Sequence, residues 1–101
     1  MNMTEITSKQ RKTLEKLAHD INPVVIVGQH GVTDNLIKMV SDSLKAHELI
    51  KVKFNEYKED KREYSEDIAQ RTDSVLVRVI GNVAIFYREN EDPEKRSVKL
   101  D

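Results

Sequence analysis

Gly28-Gln29-His30-Gly31 stands between an apolar run at residues 24–27 and a helix start at Thr33, and it contains two of only three glycines in the chain. Two residues without Cβ atoms, bracketing a two-residue tip, let the backbone come close to a sugar-phosphate chain. Free N–H groups and the positive dipole end of the helix that follows favour an anion at the same place. The chemistry this pattern could do is therefore phosphate binding by backbone. Lys9, Lys12 and Lys16 precede the loop, and Lys51 and Lys53 come from a later strand, so several cations could flank one phosphate path. Gln29 can hydrogen-bond a phosphate or a base edge, and His30 can stack on a base or donate to a phosphate. Arg11, Lys38 and Arg88 complete the candidate set. Taken alone, the tetrapeptide also fits a plain strand-to-helix turn, and the lysines fit an ordinary solvated surface.

The surrounding elements must position these residues. Thr7 and Gln10 form a capping box, and Leu14, Leu17, Ala18 and Ile21 follow at helical spacing until Asn22-Pro23 ends the helix. At 100° per residue, Lys9, Lys12 and Lys16 make a second stripe on that helix, away from the apolar one. Residues 24–27 are continuously apolar and predict a short strand buried on both faces. Thr33 is the expected N-cap of a second helix, stapled by Val32 and Ile37 and carried by Leu36, Ile37, Val40 and Leu44 to about His47.

Residues 49–54 alternate, with Ile50, Val52 and Phe54 inward and Lys51 and Lys53 outward. Residues 58–73 are highly charged, but Tyr64, Ile68 and Thr72 recur every fourth position and predict a surface helix with a narrow buried stripe. Gly81-Asn82 joins two β-rich runs as a tight hairpin. Pairing Ile80 with Val83 predicts Leu76, Ile80, Ile85 and Tyr87 on one face, and Val75, Val77, Val79, Ala84 and Phe86 on the other. Residues 89–101 are polar and charged around Pro93 and predict a disordered tail. The expected architecture is α/β (α+β, two-layer): one domain over residues 1–88, in the order α-β-α-β-α-β-β, with a layer of helices on a four-stranded mixed sheet and parallel crossovers through the second and third helices.

The bulk properties narrow the function classes. The chain has 101 residues, enough for one core and too few for two. It has no cysteine, which excludes disulfides and thiolate chemistry. The N-terminal residues lack a leader's apolar segment and no stretch is long enough to span a bilayer, so a cytoplasmic protein without a membrane partner is expected. Net charge is only −1, which argues against an indiscriminate polyanion binder. Its distribution is uneven. Residues 1–53 carry eight Lys/Arg and six Asp/Glu, whereas residues 54–101 carry nine and twelve, so a polyanion site belongs in the first half.

A Gly-x-x-Gly loop that clamps a nucleic-acid backbone is the device of KH modules. The segments SKQRKTLEKLAHDINPVVIVGQHGVT, LKAHELIKVKF and VIGNVAIFYR go further. In this order, over residues 7–88, they resemble the CRM domain (chloroplast RNA splicing and ribosome maturation), above all its stand-alone bacterial YhbY-type members. The resemblance implies a fold similar to the C-terminal domain of translation initiation factor 3. It also implies RNA binding and association with precursors of the large ribosomal subunit. The family loop usually reads Gly-Lys-x-Gly, and Gln29 stands where that Lys is expected. This loop then lacks one charge and leans harder on the flanking lysines.

Catalysis is not expected. His19, His30 and His47 share no metal-ligand spacing, Gly31 is followed by Val32-Thr33 rather than the Lys-Ser/Thr of a nucleotide-binding loop, and no nucleophile with a base is apparent. Neither a cofactor, a metal nor a small-molecule substrate is expected, and the absence of heptads favours a monomer. The competing reading is a protein-binding adaptor on the ribosome or an assembly factor. It would use the acidic segment with Glu59, Asp60, Glu63, Glu66 and Asp67 against a basic protein.

Overall fold

The computed structural model describes residues 5–100. The first four residues, part of the N-terminal segment expected to lack a leader, and Asp101 at the end of the tail lie outside the described residues. The expected order is found: α1 (Ser8–Ala18), β1 (Val25–Val27), α2 (Asp34–His47), β2 (Leu49–Phe54), α3 (Lys61–Arg71), β3 (Val75–Ile80) and β4 (Val83–Tyr87), followed by a short 3-10 turn at Pro93–Lys95. The strands form one mixed sheet in the order β1-β2-β4-β3. β1 and β2 are parallel, joined through α2, while β4 lies antiparallel between β2 and β3. The second crossover, through α3, thus leaves room for β4 to insert.

Local chemistry sets the helix starts. Thr7 Oγ1 accepts from Gln10 N at 3.1 Å while Gln10 Oε1 accepts from Thr7 N at 3.0 Å, which completes the capping box. Thr33 Oγ1 accepts from Leu36 N at 3.1 Å and caps α2. α3 is shorter than its charged segment, because Asp60 makes no side-chain cap and the chain before it turns through Tyr57 at φ 56°.

Four expectations are corrected. First, the helices do not form one layer. α2 and α3 cover one face, where Val27, Val40, Val52, Phe54, Ile68 and Phe86 pack, while Leu14 and Ala18 of α1 cover the other against Leu49, Val77, Ile85 and Tyr87. Second, β1 is buried on one face only. Val25 and Val27 are inside, but Val24 and Ile26 are exposed, because β1 is an edge strand that α1 does not reach.

Third, a β-bulge between Leu76 and Arg78 adds one residue to β3. The hairpin closes as expected with Ile80 opposite Val83, but beyond the bulge Leu76 pairs with Phe86 and packs with the α2/α3 cluster. Val77 is turned to the α1 side with Ile85 and Tyr87. A one-residue insertion reverses the facing of everything beyond it, and alternation alone does not reveal it.

Fourth, the tail after β4 is ordered, although polar. Glu48, only 1% exposed and held at φ 64°, is the anchor. Its carboxylate accepts from Asn90 N (2.6 Å), Ser97 N (2.6 Å) and Val98 N (3.0 Å), which brings Val98 and Leu100 onto the α1-side core. Composition predicted disorder because the partner that satisfies these amides lies 42 to 50 residues upstream.

Burial pushes the Glu48 carboxyl up, but hydrogen bonds from Asn90, Val98 and Ser97 outweigh it and hold the group below its ordinary value of 4.5. Its contribution is therefore complete above the unfolded pKa and is lost as pH falls through the folded one. Denaturant titrations across the acid range should show stability falling below about pH 4.5, with a shallower fall in Glu48→Gln. At neutral pH, Glu48→Ala should cost about 2–4 kcal/mol and speed hydrogen exchange at Asn90, Ser97 and Val98.

Candidate nucleic-acid interface

The loop that ends β1 is built as a closed turn. Gly31 N donates to Gly28 O at 3.0 Å, leaving Gln29 and His30 exposed at the tip. Its base is tied to the end of β2, where Asn55 N and Glu56 N donate to Val27 O at 3.0 and 3.3 Å.

The two glycines do different things. Gly31 is buried at φ +69°, and a Cβ there would meet the Tyr57 ring at 3.4 Å. The left-handed backbone there favours glycine for the fold's own sake. A Cβ on Gly28 would meet nothing within 4 Å, and its φ lies outside the left-handed region. The open space over Gly28 is the part of the motif that a turn alone does not explain.

Tyr57 holds the loop in place. Its hydroxyl donates to Gln29 O at 2.6 Å, its ring lies against Gly31, and Tyr64 packs behind it with ring centroids 5.4 Å apart. The sequence reading missed this residue; the only signal was a single aromatic in a charged linker. At the other side of the loop, Asp34 in the first turn of α2 faces Arg71 at 2.7 Å. Arg71 also reaches Asp67 at 3.6 Å. This pairing offsets the one carboxylate that would repel an anion at the start of α2.

Lys9, Lys12 and Lys16 are exposed on the outer side of α1. Lys51 and Lys53 project from the sheet on the α1 side, since their neighbours Ile50, Val52 and Phe54 belong to the other core. Lys53 pairs with Ile26, two residues before Gly28. Among the described residues, Lys12, Lys16, Lys51 and Lys53 make no ion pair. Lys38 lies on the α2 layer, exposed and 3.5 Å from Asp42.

Two candidates are occupied with holding the fold. Arg11 Nη1 donates to Val77 O and, at 3.5 Å, to Leu76 O, where it satisfies carbonyls at the bulge. Arg88 donates to Thr72 O at 2.7 Å, Ser41 O at 2.9 Å and Ser41 Oγ at 3.1 Å, and so joins β4 to α2 and the end of α3. The structure thus separates these arginines from the lysines grouped with them on sequence.

The CRS1 / YhbY (CRM) domain matches residues 6–88, nearly all of the folded unit. The chain belongs to this family. Among its relatives, the Bacillus subtilis protein named "Probable RNA-binding protein YqeI" is 39% identical over 96 residues, covering 94% of this chain and 98% of the relative. A Haemophilus influenzae protein named "RNA-binding protein" is 36% identical over 91 residues, covering 89% of this chain and 92% of the relative. The solution structure of the Staphylococcus aureus protein SAV1595 superimposes with a TM-score of 0.77 at 37% identity, covering 94% of this chain and all of that one. As a CRM-family chain, the protein shares the three helices and four-stranded mixed sheet of that structure.

The asymmetry of the loop is measurable by chemical denaturation. Gly28→Ala should change stability by less than about 0.5 kcal/mol, whereas Gly31→Ala should cost about 1–2 kcal/mol. Tyr57→Phe should cost about 1 kcal/mol and speed exchange of the Gly31 amide.

Proposed function

We propose that this protein binds RNA of precursor large ribosomal subunits and acts in their assembly, taking the RNA backbone at Gly28–Gly31 with Gln29 and His30 at the contact. Lys9, Lys12, Lys16, Lys51 and Lys53 supply charge along the path, and Lys38 extends it over α2. Gly28 carries this reading: it is glycine where neither backbone angle nor neighbouring atoms call for one, and a bare backbone is what close approach of a sugar-phosphate chain needs. Relatives named as RNA-binding proteins support the same class of ligand. Because Gln29 adds no charge, binding depends on lysines spread over a broad surface, and should weaken steeply with salt. With roughly four phosphates neutralised, affinity should fall ~100-fold between 50 and 200 mM salt.

Reading the protein instead as an adaptor gains little support from α3. Its acidic side chains Glu66 and Asp67 pair with Arg62 and Arg71 of the same helix, which reduces the charge they offer a basic partner.

The test is filter binding to large-subunit ribosomal RNA across a salt series, with Gly28→Glu beside wild type. The variant should keep its fold and lose at least about tenfold in affinity, because it adds a carboxylate where a phosphate would sit. Equal binding by the folded variant would remove the loop from the site, and no RNA binding by wild type would favour the adaptor.

A further inference from the structure

The face of the sheet that α1 covers is covered only in part. One row crosses all four strands beyond the helix: Ile26 of β1 pairs with Lys53 of β2, Lys53 with Val83 of β4, and Val83 with Ile80 of β3. Ile26 is 54% exposed and Ile80 50%. The next row runs from Val24, 48% exposed and bonded through its N–H to Lys51 O, across Lys51 and Ile85 to Arg78. Val83, between Ile26 and Ile80, is half-buried and Ile85 lies under α1, so the exposed aliphatic surface of this face is Val24, Ile26 and Ile80, set around the lysines. Apolar side chains gathered on one open sheet face mark a candidate contact surface.

Its unpaired charge is positive. Lys51 and Lys53 sit between the aliphatic positions and make no ion pair among the described residues, and Glu15 of α1, at the border, is paired with Arg78 at 3.4 Å. The patch is also continuous with the loop, because Ile26 and Gly28 belong to the same stretch of chain, about 7 Å apart at strand spacing. Three inter-strand gaps make the row ~14 Å wide, room for a short run of bases.

We infer that this open sheet face is a platform for single-stranded RNA: the strand held at Gly28–Gly31 continues over β1, β2, β4 and β3. Bases lie on Ile26, Val83 and Ile80, and phosphates face Lys51 and Lys53. The inference rests on the RNA reading of the loop and extends it from a point of backbone contact to a surface that selects unpaired over paired RNA. A duplex keeps its base faces stacked inside, so it can use the loop and lysines but not the aliphatic row.

The experiment uses the full chain, a short oligouridylate and a blunt RNA duplex, followed by fluorescence anisotropy over a salt series. Ile26→Ser combined with Ile80→Ser removes exposed apolar surface without changing charge. The pair should weaken oligouridylate binding about tenfold, the loss expected when ~55 Å² of apolar contact is removed, while leaving the salt slope and duplex binding unchanged. Lys53→Gln should instead reduce the slope by about 0.7. Wild-type cross-links from a thiouridine-substituted strand should fall on β1 and the β3–β4 hairpin, a readout independent of the variants' folding. If Gly28→Glu impairs binding while Ile26→Ser/Ile80→Ser does not and cross-links avoid the sheet, the loop stands and the platform is wrong. If wild type binds neither RNA, both readings fall together.

Discussion

β4 is apolar on both faces, and the rest of the molecule is arranged around that constraint. Ala84 and Phe86 face one way, Ile85 and Tyr87 the other, and all four are buried. A strand of this kind is stable only with cover on both sides. α2 and α3 supply it on one side; α1 and the residues Val98 and Leu100 supply it on the other. With 11 residues, α1 is only ~16 Å long. It protects the sheet where β4 needs it and leaves the β1 edge bare, beside the glycine loop.

The same economy of contacts shapes the loop and the tail. Each is held by a residue distant in sequence that satisfies main-chain groups, Tyr57 for the Gln29 carbonyl and Glu48 for the amides of Asn90, Ser97 and Val98. In the loop this leaves side chains at the tip and open space above Gly28. In the tail it gives a polar segment an ordered course over the α1-side core. The candidate cations separate along the same lines: Arg11 and Arg88 reach inward to carbonyls at Val77, Thr72 and Ser41, while Lys12, Lys16, Lys51 and Lys53 remain unpaired among the described residues. A planar guanidinium with several donors suits the first task, and a solvated ammonium on a flexible stem suits the second.

Much of this was legible before any coordinates. Capping residues Thr7 and Thr33, the alternation of Ile50, Val52 and Phe54 with Lys51 and Lys53, and the Gly81-Asn82 hairpin are local signals, and each led to the element found. What stayed hidden depends on contacts between distant segments. The bulge at Val77 is stabilised in part by Arg11, sixty-six residues away in the chain. The exposed side of β1 follows from the reach of α1, and the order of the tail from Glu48. The candidate site divides in the same way. The glycines and lysines could be named from type and spacing, but the different roles of Gly28 and Gly31, and the support from Tyr57, are properties of packing.

The most direct measurement is amide chemical-shift mapping of the isotope-labelled protein titrated with a large-subunit ribosomal RNA fragment. The first and largest changes should fall on Gly28 to Gly31 and the first turn of α2, spreading to β1 and to Lys51 and Lys53 as the RNA saturates. Changes centred on α3 or on the Glu48-anchored tail, with the loop silent, would contradict the account.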